Sequence, residues 1–395
     1  MYALVSPWPP QRNGIADYAR EVARHTAHPL QIVTECLRPA GGIEGLRFID
    51  EAAFARAPHR LPAVYHFGNN PDHAFMLPLF LRDPGVAVVH DLSLQYLAEQ
   101  ADPLLPGFFA AELLREWPGL GERLTALWAK PGLKRGIDFQ EVKLLGWLRH
   151  ARAIVVHSHH AARIVAGYVP GQMPVHVLPH FAYLPGLSYP EIKELRERRR
   201  PALAGGNDRA ARDRLYVTAL GFPSQPKQYA AVLHAIATLP QPLRERVTFM
   251  IGGEVRPREY DLAADIARFG MEGQVELRGY LSPEEMEDLL IASDLIMTLR
   301  YPTFGESSGV LARALGWGCG ILVTDNGSYA ELPDEVCFKM PARPDPSAAL
   351  RGLLTELLDN RWRLEQRRAA AYAYAHTTCN PERIAARYSD IADAG

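Results

Sequence analysis

Three places in the chain set an acid, a base or a cation where an apolar run gives way to a helical pattern. His90 and Asp91 follow the run Val86 to Val89. A histidine at the mouth of a buried strand can donate to a developing charge, or simply satisfy backbone groups there. Lys227 closes the loop from Gly221, between the run Tyr216 to Leu220 and the helical pattern Tyr229 to Ile236. A lysine so placed meets a diphosphate together with the helix N-terminus, or stays a solvated charge. Glu306 lies in Arg300-Tyr-Pro-Thr-Phe-Gly-Glu-Ser-Ser-Gly309, just ahead of a helix from about Val310 to Gly316. There a carboxylate can hold a sugar hydroxyl while the free helix N–H groups face phosphate; as a plain helix cap it needs no ligand.

Other loops are weaker candidates. Ser6-Pro-Trp-Pro-Pro-Gln-Arg-Asn-Gly-Ile-Ala-Asp-Tyr18 is stiffened by three prolines, and Gly14 lets backbone N–H groups approach an anion where a helix begins at about Ile15. A rigid loop with a helix-start glycine explains it equally. Gly68-Asn69-Asn70-Pro71-Asp72-His73 is polar and turn-rich, a sugar-binding loop or an ordinary turn. Ser158 caps the following helix without chemistry. His159 and His160 are adjacent on that helix and face different ways, which argues against a metal site.

Such loops need a sheet to place them. Short apolar runs alternate with helical patterns: Tyr2–Val5, Val64–Phe67, Val86–Val89, Ile154–Val156 and Val175–Leu178, then Tyr216–Leu220, Thr248–Ile251, Gln274–Leu277, Leu295–Leu299 and Ile321–Thr324. That alternation means parallel strands with crossover helices. Ligands of such sheets sit at the carboxyl ends of strands. The expected fold is α/β, two Rossmann-like doubly wound domains facing a central cleft. The expected boundaries are 1–185, a linker over 186–213, 214–375, and a C-terminal helix over 376–395 that crosses back to the first domain. The charged run Lys193 to Arg200 and the small, polar stretch Leu203 to Asp208 suggest the linker.

Length and composition agree. A chain of 395 residues exceeds the roughly 250 to 300 at which single cores stop growing. It is 48% hydrophobic and 22% charged, the balance of a globular protein. A net charge of -2 gives no overall basic field, so nucleic acid is not an expected partner. Cys36, Cys319, Cys337 and Cys379 form no CxxC pair, which argues against structural zinc and a disulfide framework and suits a reducing cytoplasm. No export signal and no run of ~18 apolar residues is evident.

Taken in order, these loops resemble the retaining glycosyltransferases of family 4 (glycosyl transferases group 1), with the GT-B fold, over essentially the whole chain. The matching pieces are Ser6 to Pro10 with Asn13 to Tyr18, Gly68-Asn-Asn with His73, His90-Asp-Leu, His157-Ser, Gly221 to Lys227, Arg300 to Gly309, and Gly318 to Asp325 followed by Glu331-Leu-Pro. The resemblance implies that Gly14 approaches the donor phosphates and that Lys227 pairs with the diphosphate. It places Glu306 and the backbone of Ser307, Ser308, Gly309 and Val310 on the donor, and His90 beside the reacting centre. Asn13, Asn69, His73 and Asp91 are expected on the acceptor side. Two departures stand out. Arg313 occupies the place of a second glutamate that reaches the ribose, and no basic residue precedes Lys227 in its loop, a charge for which Arg300 and Arg12 are candidates.

The expected function is transfer of a hexose from a nucleotide-diphosphate sugar to a glycan, lipid-linked or small-molecule acceptor, as in polysaccharide biosynthesis. Cofactor and metal ion are both expected to be absent. The rivals are a GT-B epimerase or phosphorylase and a non-catalytic sugar-nucleotide-binding subunit. A nicotinamide enzyme is disfavoured because no GxGxxG follows a strand, and GxxxxGK is also missing. Leu104 to Arg149, rich in Leu, Phe, Trp and basic residues, reads either as a face docking peripherally on the inner side of a membrane or as a buried helical excursion.

Overall fold

The computed structural model describes residues 1–394 except 12, 36–42, 44, 58–60, 131–141 and 304. Two sheets form, and every strand pairing in them is parallel. The first contains β1 (Tyr2–Val5), β2 (Leu30–Val33), β3 (Arg47–Ile49), β4 (Ala63–Phe67), β5 (Val86–Val89), β6 (Ala153–Val156) and β7 (Val175–Val177), in the order β3-β2-β1-β4-β5-β6-β7. The second contains β8 (Leu215–Leu220), β9 (Val247–Gly252), β10 (Val275–Gly279), β11 (Leu295–Thr298), β12 (Gly320–Thr324) and β13 (Phe338–Met340), in the order β10-β9-β8-β11-β12-β13. Both are doubly wound, as expected. Strands β1, β4, β5, β6, β8, β9, β11 and β12 are buried at every residue, which is why they read as continuous Val, Ile and Leu runs. Strands β2, β3 and β13 escape a sequence reading. The last two, Arg47-Phe-Ile49 and Phe338-Lys-Met340, each carry a charged residue in a three-residue strand, so no continuous apolar run marks them.

The chain divides into two units. The first holds Met1–His180, residues 305–307 and the C-terminal helix Pro381–Ala394; the second holds Phe181–Thr303 and Ser308–Asn380. In the first unit Tyr65, Phe67, Phe80 and Trp147 pack edge to face or stacked, with ring centroids 4.8 to 6.0 Å apart. The C-terminal helix turns Ile384, Ala385, Tyr388, Ile391 and Ala392 inward, an apolar stripe at helical spacing. It rests on the helix Gly14–His25, where the hydroxyls of Tyr388 and Tyr18 lie 2.8 Å apart.

The segment expected as a linker over 186–213 belongs to the second unit. Its helix Tyr189–Arg199 starts with a capping box of Ser188 and Glu191. Arg196 and Arg200 then leave solvent to bond buried carbonyls and Asp294. A charged run looks solvated in sequence because the buried acceptors that recruit its arginines lie about a hundred residues away. Cys319, Cys337 and Cys379 are buried free thiols; Cys36 lies outside the described residues. Among the described residues no helix is long and apolar enough to cross a membrane.

Candidate active site

A doubly wound sheet has a crevice where its strand order reverses, because the loops on either side leave in opposite directions. In the first sheet that point lies between β1 and β4, and in the second between β8 and β11. The candidate loops follow these four strands, together with β5.

In the second unit, the loop after β8 begins at Gly221, whose φ of +85° is a left-handed value that glycine adopts without strain. The loop ends in a 3-10 turn, Gln225–Lys227, and the Lys227 Nζ folds back to donate to the Phe222 carbonyl at 2.5 Å. Gln228, nearly buried, anchors this turn. Its side-chain nitrogen donates to the Arg343 carbonyl at 2.8 Å, and its oxygen accepts from the Thr324 hydroxyl at 3.4 Å. Thr324 also accepts from the Arg300 backbone N–H at 2.9 Å, and the Tyr301 N–H donates to the Pro226 carbonyl at 2.8 Å. The loops after β8 and β11 are thereby tied together, which brings the Lys227 and Arg300 segments side by side. The Arg300 guanidinium donates to the Leu299 carbonyl at 2.9 Å.

Ser308 caps the helix Gly309–Gly316, its hydroxyl accepting from the Leu311 N–H at 3.2 Å. Gly309 and Val310 form the first turn of that helix, and a Cβ placed on Gly309 would meet no described atom within 4 Å. Open backbone at a helix start suits an anion. Arg313, further along, lies over the Tyr183 ring with 4.0 Å to its centroid.

In the first unit the polar loops stitch the crevice between β1 and β4. Asn13 caps the helix Gly14–His25 by accepting from the Ile15 N–H at 2.9 Å, and its Nδ2 faces Asn70 Oδ1 at 3.3 Å, Asp72 Oδ2 at 3.1 Å and His73 Nε2 at 3.2 Å. Asn69 Oδ1 accepts from the N–H groups of Tyr96 and Leu97 at 2.9 and 3.1 Å, capping the helix Gln95–Ala101, which has no cap of its own. The expected sugar-binding groups of Asn13, Asn69 and His73 are thus engaged within the protein. Gly14 is exposed, and a Cβ there would meet no described atom within 4 Å. Arg12 lies outside the described residues.

His90 is 4% exposed and sits inside a chain of imidazoles. His66 Nδ1 and His90 Nε2 are 3.1 Å apart, as are His90 Nδ1 and His157 Nε2, while His157 Nδ1 lies 3.0 Å from the Leu178 carbonyl. A carbonyl only accepts, so His157 carries its proton on Nδ1. If each ring is neutral, His90 and then His66 must do the same. The chain ends at His66 Nε2, a buried acceptor with no hydrogen-bond partner among the described residues. Tyr18 packs its ring against His66, His90, His157 and His180. Burial, reinforced by the neighbouring imidazoles, lowers His66 to about 3 and His90 well below the usual value. Burial also lowers His157 and His73 to about 4 against the raising effect of their carbonyl partners. Both ring nitrogens of His90 therefore have partners, and the imidazole reaches a substrate only by opening one bond. Sequence reasoning missed His66; a histidine inside the apolar run Ala63–Phe67 was the available signal.

Asp91 accepts from the Asn69 N–H at 2.8 Å. Burial pushes its carboxyl up to about 6; the Asn69 bond opposes this, and the Glu306 carboxylate adds to it. The Ser307 N–H approaches the His90 carbonyl at 3.4 Å. Glu306 and Ser307 are thus brought to His90 and Asp91, while Lys227, Arg300, Ser308, Gly309 and Val310 lie in the second unit. Among the described residues no group of three or more His, Cys, Asp or Glu side chains is arranged to hold a metal ion.

No protein-family model matches the chain. Over 128 residues it is 27% identical to the lipopolysaccharide glucosyltransferase WaaG of Escherichia coli; the match spans 32% of this chain and 32% of that relative. Among the solved structures that match over 100% of both chains are those of HepE and WaaG. The crystal structure of Anabaena HepE in complex with UDP and glucose has a TM-score of 0.65 at 14% identity. That of WaaG, a glycosyltransferase involved in lipopolysaccharide biosynthesis, has a TM-score of 0.62 at 16% identity. This likeness establishes the fold, which is GT-B.

Proposed function

We propose that this chain is a retaining, metal-independent glycosyltransferase of family 4 that moves a hexose from a nucleoside-diphosphate sugar to a glycan, lipid-linked or small-molecule acceptor. The observation that carries the reading is the pairing of the Lys227 and Arg300 loops at the reversal point of the second sheet, through the Tyr301 N–H and Pro226 carbonyl. HepE's complex with UDP and glucose and WaaG's name as a glucosyltransferase support it.

Bond breaking leaves negative charge on the departing diphosphate. Lys227, Arg300 and the free N–H groups of Gly309 and Val310 offset that charge. Gly14 gives the same phosphates a second approach. The anomeric C–O bond to phosphate breaks as the acceptor oxygen bonds the same face, and the acceptor proton passes to the leaving phosphate oxygen. This route needs no pair of catalytic carboxylates about 5 Å apart. Glu306 holds the donor-sugar hydroxyls, His90 acts at the reacting centre, and Asp91 serves the acceptor side. Asn13, Asn69 and His73 act there by shaping the loops they tie together.

Leu104, Leu114 and Leu120 are 54%, 42% and 47% exposed, which supports peripheral docking on the cytoplasmic face of a membrane that carries the acceptor. Phe109, Leu113 and Trp128 from the same stretch are buried in a small core of their own; residues 131–141 of it lie outside the described residues.

Glu306→Gln tests the reading, since it keeps the side-chain shape and removes the charge. Turnover is expected to fall at least tenfold while calorimetric affinity for the nucleoside diphosphate stays nearly unchanged. Full activity would remove Glu306 from the site. Incubation with donor alone separates transfer from epimerisation, which turns over without acceptor.

A further inference from the structure

The second unit carries a cluster of buried arginines that the proposed reaction does not use. Six basic side chains and three carboxylates line a cavity of about 330 Å³. At its base Asp294 lies 2.8 Å from Arg200, 3.0 Å from Arg361 and 3.2 Å from Arg368. One carboxylate thus faces three guanidinium groups. Glu365 pairs with Arg368 and lies 3.8 Å from Lys193. Arg196, a further buried guanidinium in the lining, donates to backbone carbonyls: through Nε to Ile291, and through Nη2 to Trp317 and Gly318. Among the described residues its Nη1 is buried with no hydrogen-bond partner, and so is Nε of Arg368. The six cations of the lining outnumber its three carboxylates, and an anion in the cavity offsets that excess.

Asp294 precedes β11, so the cluster lies at the amino end of the strand whose carboxyl end carries Arg300. Four residues of strand separate the two ends, on the order of 13 Å. The volume falls in the lower part of the range for small-molecule sites, about 300 to 1,000 Å³, but the lining is charged where those are mostly apolar. We propose that this cavity binds a small, multiply charged phosphate anion of the pyrophosphate class, at a site separate from the donor site and independent of the proposed transferase activity.

The test is titration of the full chain with pyrophosphate, by calorimetry and thermal shift, at constant ionic strength maintained with chloride. It compares the unmodified protein, Lys227→Ala, Arg196→Met, and the double variant Lys193→Met/Arg361→Met, whose side chains are partly exposed and tolerate change better than Arg196. Saturable binding that persists in Lys227→Ala and weakens at least tenfold in the double variant is expected. Arg196→Met, where it folds, is expected to weaken binding likewise. Binding that is lost in Lys227→Ala and unchanged in the double variant would place the anion at the donor site and overturn the proposal. A response no greater than that to chloride would also overturn it and leave the cluster a purely structural ion-pair network.

Discussion

The Nδ1 atom of His66 lies 3.1 Å from the Nε2 atom of His90, both rings buried. This contact joins a chain that stays neutral because burial disfavours every imidazolium in it. In the unfolded chain each histidine protonates near 6.5. The folded values are about 3 for His66, about 4 for His73 and His157, and well below normal for His90. As pH falls from 7 to 5 the unfolded state takes up protons that the folded state refuses, so stability falls. The loss is on the order of 1 to 2 kcal/mol per imidazole. Asp91 runs the opposite way: its folded carboxyl keeps a proton up to about 6, which adds stability as pH falls, but one group opposes four. Melting temperatures at pH 7 and 5 check this, and a flat profile would refute it.

His90→Ala leaves His66 Nδ1–H without an acceptor and His157 Nε2 without a donor. Stability is expected to fall by about 2 to 6 kcal/mol, from roughly 1 to 3 for each of the two orphaned groups. Assayed well below its melting temperature, the variant is expected to bind donor normally and lose at least tenfold in turnover. Early melting with a normal transfer rate would leave His90 a structural role alone.

On the proposed reading, Lys227→Ala is expected to remove a charge-assisted contact to the diphosphate worth roughly 1.5 to 3 kcal/mol. Nucleoside-diphosphate affinity should fall by about one to two orders of magnitude. The Phe222 carbonyl bond that the lysine makes in the fold is at an exposed position, so melting should hardly change. Unaltered affinity measured by calorimetry would sink the assignment.

Gly14→Ala separates packing from ligand approach. A Cβ at Gly14 meets no described atom within 4 Å, and the position opens a helix, so alanine should be neutral or stabilising by a few tenths of a kcal/mol. Donor affinity is nevertheless expected to drop severalfold if, as proposed, the donor phosphates approach the backbone here. Unchanged donor kinetics would show that the glycine serves no ligand.

What the sequence determined is local. Buried parallel strands need continuous apolar runs, and loops at their carboxyl ends need glycine, proline and polar residues, so most strands and the loops of Lys227, His90 and Glu306 were legible without coordinates. Gly14 already marks a helix start near Ile15, and Ser158 a cap, whereas the capping role of Asn13 came only with the structure. Tertiary structure decided the partners. That Asn69 caps a helix beginning at Gln95, that His66 and His157 occupy both nitrogens of His90, and that Arg196 and Arg200 turn the supposed linker into packed structure all depend on groups distant in sequence. A side chain's role follows from which donors and acceptors surround it, and burial multiplies the consequence of each. Residue type and spacing along the chain carry no record of that surrounding until the strands have paired.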